Sequence, residues 1–177
     1  MTACIISSFA PNESKLSLAG SLEIIKSVME NKDVYFVAVK VFLLDSEENF
    51  LITKDRFGDW DIPGGRLREQ DFNVSLEQVI ERKITEEIGE SVKYKLGGPV
   101  VFMRHERNEI LPSGDRSKRR IFAIGYTAEY QGGKITLGKN HEKYEWVPIK
   151  TFVPETRFIG GWLQGIKDFQ VGYKKSV

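Results

Sequence analysis

Between Ser75 and Ile88 the residues repeat at helical spacing, and this segment constrains the chain more than any other. Leu76, Ile80, Ile84 and Ile88 form one apolar arc at about 100° per residue. Gly89 follows, in the position where helices favour glycine. Glu87 falls inside the arc, between Leu76 and Ile80; Lys83 lies at its border, and Glu86 beyond Lys83. A carboxylate turned toward a packing face loses hydration and needs a cation, backbone donors or a metal. Two readings follow. Lys83 can pair with Glu87 along the helix edge. Alternatively, Glu86 and Glu87 present oxygens to Mg²⁺ or Mn²⁺. The preceding loop favours the second reading. Asp61-Ile62-Pro63-Gly64-Gly65-Arg66 places two glycines where backbone can approach a ligand closely, and the carbonyls there can ligate a hard cation. Arg66 can reach phosphate.

The flanking sequence predicts a mixed architecture. Val34–Leu44 is β-branched and aromatic, interrupted by Lys40, and predicts a buried strand. Asp45–Asn49 is its turn and Phe50–Lys54 its hairpin partner, with a loop over Asp55–Arg68. Further strands are expected at Pro99–His105, Arg120–Tyr130, Lys134–Leu137 and Tyr144–Pro148, with a long hairpin loop over Glu106–Arg119. Helices are expected over Asn12–Lys32 and Phe158–Phe169. Strands joined by turns and mixed with helices favour an α+β class, rather than a doubly wound parallel sheet.

Composition narrows the function classes. The 177 residues are 41% hydrophobic and 29% charged, as in a globular domain. The net charge of +1 argues against a nucleic-acid or anionic-lipid partner. No apolar run approaches the ~18 residues of a membrane span. The single cysteine, Cys4, and the absence of a basic region before the first apolar residues predict a cytoplasmic protein.

The segment from Trp60 to Gly89 resembles the Nudix box. That family's pattern is Gly, five residues, Glu, seven residues, Arg-Glu, an aliphatic, any residue, Glu-Glu, any residue, Gly, an aliphatic. Trp60-Asp61-Ile62-Pro63-Gly64-Gly65 resembles the usual entry, with Gly65 as the first box position. Arg82, Ile84, Glu86, Glu87 and Gly89 match the second half. The resemblance covers Val34–Phe152 and implies a Nudix-like α/β/α sandwich with a mixed sheet over residues 34–177, after an N-terminal helical extension over residues 1–33. The departures are specific. Gly65 and Arg82 are 17 positions apart where the family has 14. Counted back from Arg82, the first glutamate falls on Val74, with Glu69 or Asp71 as substitutes. Lys83 replaces the glutamate after the arginine, and Glu90 the final aliphatic residue.

The resemblance implies a Mg²⁺- or Mn²⁺-dependent hydrolase of a nucleoside diphosphate linked to another moiety. A branch similar to GDP-mannose mannosyl hydrolase also lacks the glutamate after the arginine and attacks the anomeric carbon of a nucleotide sugar. There, a Gln-His pair before a tryptophan supplies a metal ligand and the general base. Asn140-His141 stand at the same offsets from Trp146, although that branch also drops the first of the paired glutamates and Glu86 is kept here. Gly64, Glu86, Glu87 and Asn140 are the expected metal ligands. His141 or Glu86 would activate water. Arg66 and Arg82 would face phosphate, Arg82 alternatively pairing with a box glutamate. A nucleotide sugar is the favoured substrate. The alternatives are a nucleoside triphosphate pyrophosphohydrolase and a non-catalytic module binding a nucleotide or sugar phosphate, with Lys83 in place of the metal.

The remaining features are read from the residues. His141 lies in the polar Gly138–Lys143 connection, where a mobile catalytic loop is expected, and histidine is the natural base near neutral pH. His105, between Arg104 and Arg107, reads as surface or substrate-lining. Arg107, Arg116, Lys118, Arg119 and Arg120 suit either a phosphate or sugar clamp or a solvated hairpin tip. Phe158, Trp162, Phe169 and Tyr173 read as core or homodimer contacts.

Overall fold

A computed structural model describes residues 33–111 and 113–176. The chain divides into a unit of residues 1–34 and a unit of residues 35–177. Cys4 and the helix expected over Asn12–Lys32 lie outside the described residues.

The apolar run forms β1 (Tyr35–Leu44), the middle of a seven-stranded mixed sheet. Its alternate side chains face opposite sides, and both sides are buried from Ala38 to Leu43, so the run lacks polar alternation. β2 (Asn49–Asp55) pairs antiparallel with β1 through the expected turn. The next pieces are β3 (Trp60–Asp61), on β2, and β4 (Gly64–Arg66), on β1. The loop expected over Asp55–Arg68 is therefore two short strands, pulled into the sheet. β5 (Lys93–Ile110) lies on β6 (Arg116–Gly132), which runs parallel to β1. β7 (His141–Pro148) lies on β2.

Among the described residues one helix covers each face. α1 (Leu76–Ile88) opens on Ser75, whose Oγ accepts the Gln78 N–H while the Gln78 side chain accepts the Ser75 N–H, a capping box. It buries Val79, Ile80, Ile84 and Ile88 against Val39, Val41 and Leu43. α2 (Gly160–Ser176) and the preceding Phe158 bury Trp162, Ile166 and Phe169 against Ala38, Phe42, Phe50 and Ile52. The result is the α/β/α sandwich with a mixed sheet. The aromatic residues Phe158, Trp162 and Phe169 belong to the chain's own core.

Two strand expectations are corrected. Glu106–Arg119 is not a long loop: β5 and β6 stay in register from Glu106 opposite Arg120 to Ile110 opposite Arg116. Lys118 and Arg120 reach Glu106 at 3.0 and 3.1 Å, so cross-strand charge pairs let a polar sequence hold a ladder. Lys134–Leu137 is not a strand, because its backbone serves the end of α1 instead: the Thr136 N–H is donated to the Ile88 carbonyl at 2.8 Å.

Gly64 has φ 138°, and a Cβ there would come within 2.1 Å of the Val39 carbonyl oxygen. Gly64→Ala is expected to lower the melting temperature steeply. Gly58→Ala is expected to cost only the strain of a φ of 96°, about 1–3 kcal/mol, because its Cβ would meet open space. Equal losses in calorimetric melts of the two variants would show that the contact at Gly64 relaxes cheaply.

Candidate active site

Glu87 sits on the packing side of α1, with its side chain 17% exposed. Its Oε2 accepts the Gly64 N–H at 2.9 Å. Burial pushes its carboxyl up to about 7; Lys40, the Gly64 amide and Lys83 favour the charged form, and Asp61 opposes it. The ion pair of Lys83 runs to Glu86 rather than Glu87, at 3.6 Å, with the lysine side chain only 12% exposed. Burial of Val79 on the far side of Lys83 explains this, since the packed arc extends past the border drawn from Leu76.

Glu86 is engaged by three cations: Arg68 at 3.0 Å, Arg82 at 3.1 Å and Lys83. Partial burial raises its pKa, but these cations outweigh it and hold the carboxyl below the usual range. Arg82 also binds Asp71 at 2.6 Å. Asp71 is buried and accepts the Arg68 N–H at 2.7 Å, which leads the shift of its carboxyl below the usual range. Counted forward from Gly65, with five residues between, Asp71 is the acidic residue of the box, so the extra residues follow it.

The C-terminal end of α1 places His141. The last carbonyls of a helix lack intrahelical partners. The Gly138 N–H satisfies that of Glu87 at 2.9 Å. A Cβ on Gly138 would meet the Glu86 carbonyl at 2.0 Å, so the contact requires glycine. The His141 N–H then binds the Gly138 carbonyl, and the Asn140 carbonyl accepts the Arg56 N–H. The expected mobile loop is therefore pinned, and His141 is the first residue of β7. Its Nε2 lies 3.8 Å from Glu87 Oε2. Burial leads the lowering of its pKa and so favours the neutral imidazole.

Gly64, Arg66, Glu87, Asn140 and His141 line one cavity of about 370 Å³. An adjoining cavity is lined by Glu86, Lys83 and Arg68, and shares Glu87, Asn140 and His141 with the first. Arg82 lines neither. Arg66 is held by both carboxylate oxygens of Glu109, at 3.1 Å, and its guanidinium lies over Phe36. The floor of the first cavity holds a pair not assigned from sequence. Lys40, 3% exposed, donates to both Asp61 oxygens at 2.7 Å and to the Ile62 carbonyl. The sequence signal was the lysine interrupting the apolar run.

The residues fit one divalent cation shared with a substrate. Mg²⁺ takes oxygen ligands, keeps several waters and is commonly held by one or two carboxylates plus substrate phosphates. Glu87 offers a buried carboxylate whose charged state a cation would restore, beside the backbone of Gly64 and the amide of Asn140. They do not fit a cage made by protein alone. Among the described residues no three His, Cys, Asp or Glu side chains converge, and Lys83, Arg68 and Arg82 already neutralise Glu86.

A family model of the NUDIX domain matches residues 34–161. The chain belongs to the Nudix family and is a Nudix hydrolase. Nudix hydrolases generally use divalent metal ions. Solved structures share the fold. A MutT protein from Methanosarcina mazei Go1 matches at 18% identity and a TM-score of 0.63, over 82% of this chain and 97% of that one. An ADP-ribose pyrophosphatase from Streptococcus suis 89-1591 matches at 11% and 0.55, over 81% and 92%. A UDP-X diphosphatase matches at 16% and 0.55, over 88% and 72%. No curated protein sequence matches the chain. No helix among the described residues is long and apolar enough to cross a membrane.

The raised pKa of Glu87 has a stability signature. The folded protein holds this proton up to about 7, whereas the ordinary value is 4.5. Between these values the native state binds more protons than the unfolded state, so stability falls as pH rises through this window and levels off above it. With divalent ions chelated, the wild type should lose stability relative to Glu87→Gln from pH 4.5 to about 7. Lys40, Asp61, Lys83 and His141 face the carboxylate and are common to both proteins. A constant difference in melting temperature across the window would refute the buried, protonated carboxyl.

Proposed function

We propose that the protein hydrolyses a nucleoside diphosphate linked to another moiety, with a nucleotide sugar as its substrate, in the presence of Mg²⁺ or Mn²⁺. The observation that carries this reading is the apposition, in one cavity, of His141 and the largely buried Glu87, 3.8 Å apart, beside Gly64 and Asn140. Two fold relatives are described as acting on diphosphate-linked compounds, an ADP-ribose pyrophosphatase and a UDP-X diphosphatase, and this supports the substrate class.

Glu87, Gly64 and Asn140, with Glu86 at the edge, would hold the divalent ion. When bound, the ion neutralises diphosphate oxygens and makes the nucleoside diphosphate a better leaving group. His141 accepts a proton from water as that water attacks the anomeric carbon. The carbon–oxygen bond breaks, and the nucleoside diphosphate leaves intact. Burial favours the neutral imidazole, the form that can take up a proton, although it also lowers the basicity of the ring. Arg66 contributes positive charge once phosphate displaces Glu109. Arg82 acts through Asp71 and Glu86, as a strut behind the site. A homodimer would have to use a surface other than Phe158, Trp162 and Phe169, which lie in the core.

A second reading rests on Lys83. Its ammonium, close to Glu86 and to the backbone of Gly65, supplies a fixed positive charge, which suits a module that binds a phosphate group without metal or turnover.

Chromatography of products from nucleotide sugars and nucleoside triphosphates, with Mg²⁺ and with chelator, separates these readings. Nucleoside diphosphate from a sugar donor, only with Mg²⁺, is the expected result. His141→Asn should then lower kcat by about 10²-fold or more, with little change in KM. Monophosphate would instead indicate pyrophosphate cleavage. No turnover, together with metal-free phosphate binding that Lys83→Glu abolishes, would establish the binding module.

A further inference from the structure

A second cavity, of about 290 Å³, opens beside the first and shares Asp55, Asp61, Arg107 and Trp162 with it. Its own walls include Asp59, Trp60, His105, Asn108 and Arg157. The expected metal and phosphate groups, Gly64, Arg66, Glu86, Glu87 and Asn140, do not line it.

Its aromatic surfaces are already occupied. Trp162 stacks on His105, with ring centroids 4.5 Å apart and planes 10° apart, and Lys40 lies 5.1 Å from the same ring. Trp60 carries the Arg157 guanidinium at 4.4 Å and Lys54 at 6.0 Å. A nucleobase gains affinity by stacking on an open ring, and these rings are engaged.

What the cavity offers is polar and directional. Asp59 and Asp61 accept hydrogen bonds, and the Asn108 amide both donates and accepts. His105 lines the cavity as well, and its Nδ1 is buried without a hydrogen-bond partner. The lining also disfavours another phosphate. Asp61 is paired with Lys40 and Glu106 with Lys118 and Arg120, as Arg157 is with Glu145 and Arg107 with Glu109, which leaves the carboxylates of Asp55 and Asp59 to repel an anion. A ligand with several hydroxyls and no charge suits this combination.

We propose that the second cavity is a glycosyl subsite. It takes the uncharged, polyhydroxylated group of a nucleotide-linked substrate while the diphosphate lies in the first cavity, and Asp59 and Asn108 determine which sugar is accepted. The proposal rests on the hydrolase reading above. Asp61, fixed by Lys40 and present in both linings, marks the junction where the sugar–phosphate bond would lie.

Calorimetric titration tests this on the wild type, Asp59→Ala and Asn108→Ala, with Ca²⁺ replacing Mg²⁺ to slow turnover. The probes are UDP-glucose, GDP-mannose and ADP-ribose, each against its own nucleoside diphosphate. At least one sugar conjugate should bind about tenfold more tightly than its diphosphate, the worth of one or two hydrogen bonds to charged or polar groups. Each variant should remove most of that advantage and leave diphosphate affinity unchanged. Both side chains are exposed, so the variants should melt like the wild type. Diphosphates that bind with no advantage for any sugar, or an advantage that survives both variants, would overturn the subsite alone. Failure of the diphosphates themselves to bind would overturn the hydrolase reading and the subsite with it.

Discussion

The hydrogen bond from the Gly64 amide to Glu87 joins the helix to the sheet at the place where burial of charge is most costly. A carboxylate on a packing face needs donors within reach, and a backbone amide from a strand is a rigid one. Supplying it draws Gly64 under β1, where only glycine fits beneath the Val39 carbonyl. β3, just before it, delivers Asp61 to Lys40, so one short segment, from Trp60 to Arg66, supplies a partner for the helix and another for β1. Lys40 favours the ionised form of Glu87 and Asp61 opposes it, so the pair acts on the carboxyl in opposite senses.

The box charges are redistributed. Asp71 takes the place of the missing glutamate by holding Arg82, and Arg82 passes that support to Glu86. Lys83 adds a cation where the family pattern has an acid. The carboxylates therefore divide into Glu86, held ionised by three cations, and Glu87, which burial drives toward its neutral form. Two neighbouring glutamates on one helix thus have opposite electrostatic character, because successive residues point about 100° apart.

The wheel over Leu76–Ile88 was enough to locate Glu87 on the buried side, and the glycine pair before it was enough to locate the backbone it would meet. These are local facts, carried by spacing. The β1 strand and the final helix were legible for the same reason. The length of the β5–β6 hairpin was not, because a polar strand is stabilised by partners across the ladder, and Glu106 finds Lys118 and Arg120 only in three dimensions. Asp71 could be placed by counting forward from Gly65 but not backward from Arg82, since the extra residues fall between them. The second cavity was invisible for a related reason: Asp59, His105, Asn108 and Arg157 come from three separated stretches and share no spacing.

The tie between α1 and the segment that follows β6 has a consequence for motion. Thr136 and Gly138 give their amides to the last carbonyls of the helix, and Gly138 in turn anchors His141. The segment cannot lift away without exposing the end of α1, and the end of α1 cannot fray without freeing the segment. The two therefore open as one cooperative unit. Proton exchange at the Thr136 and Gly138 amides is accordingly coupled to the opening that uncovers the final turn of the helix, the turn that carries the carboxylate.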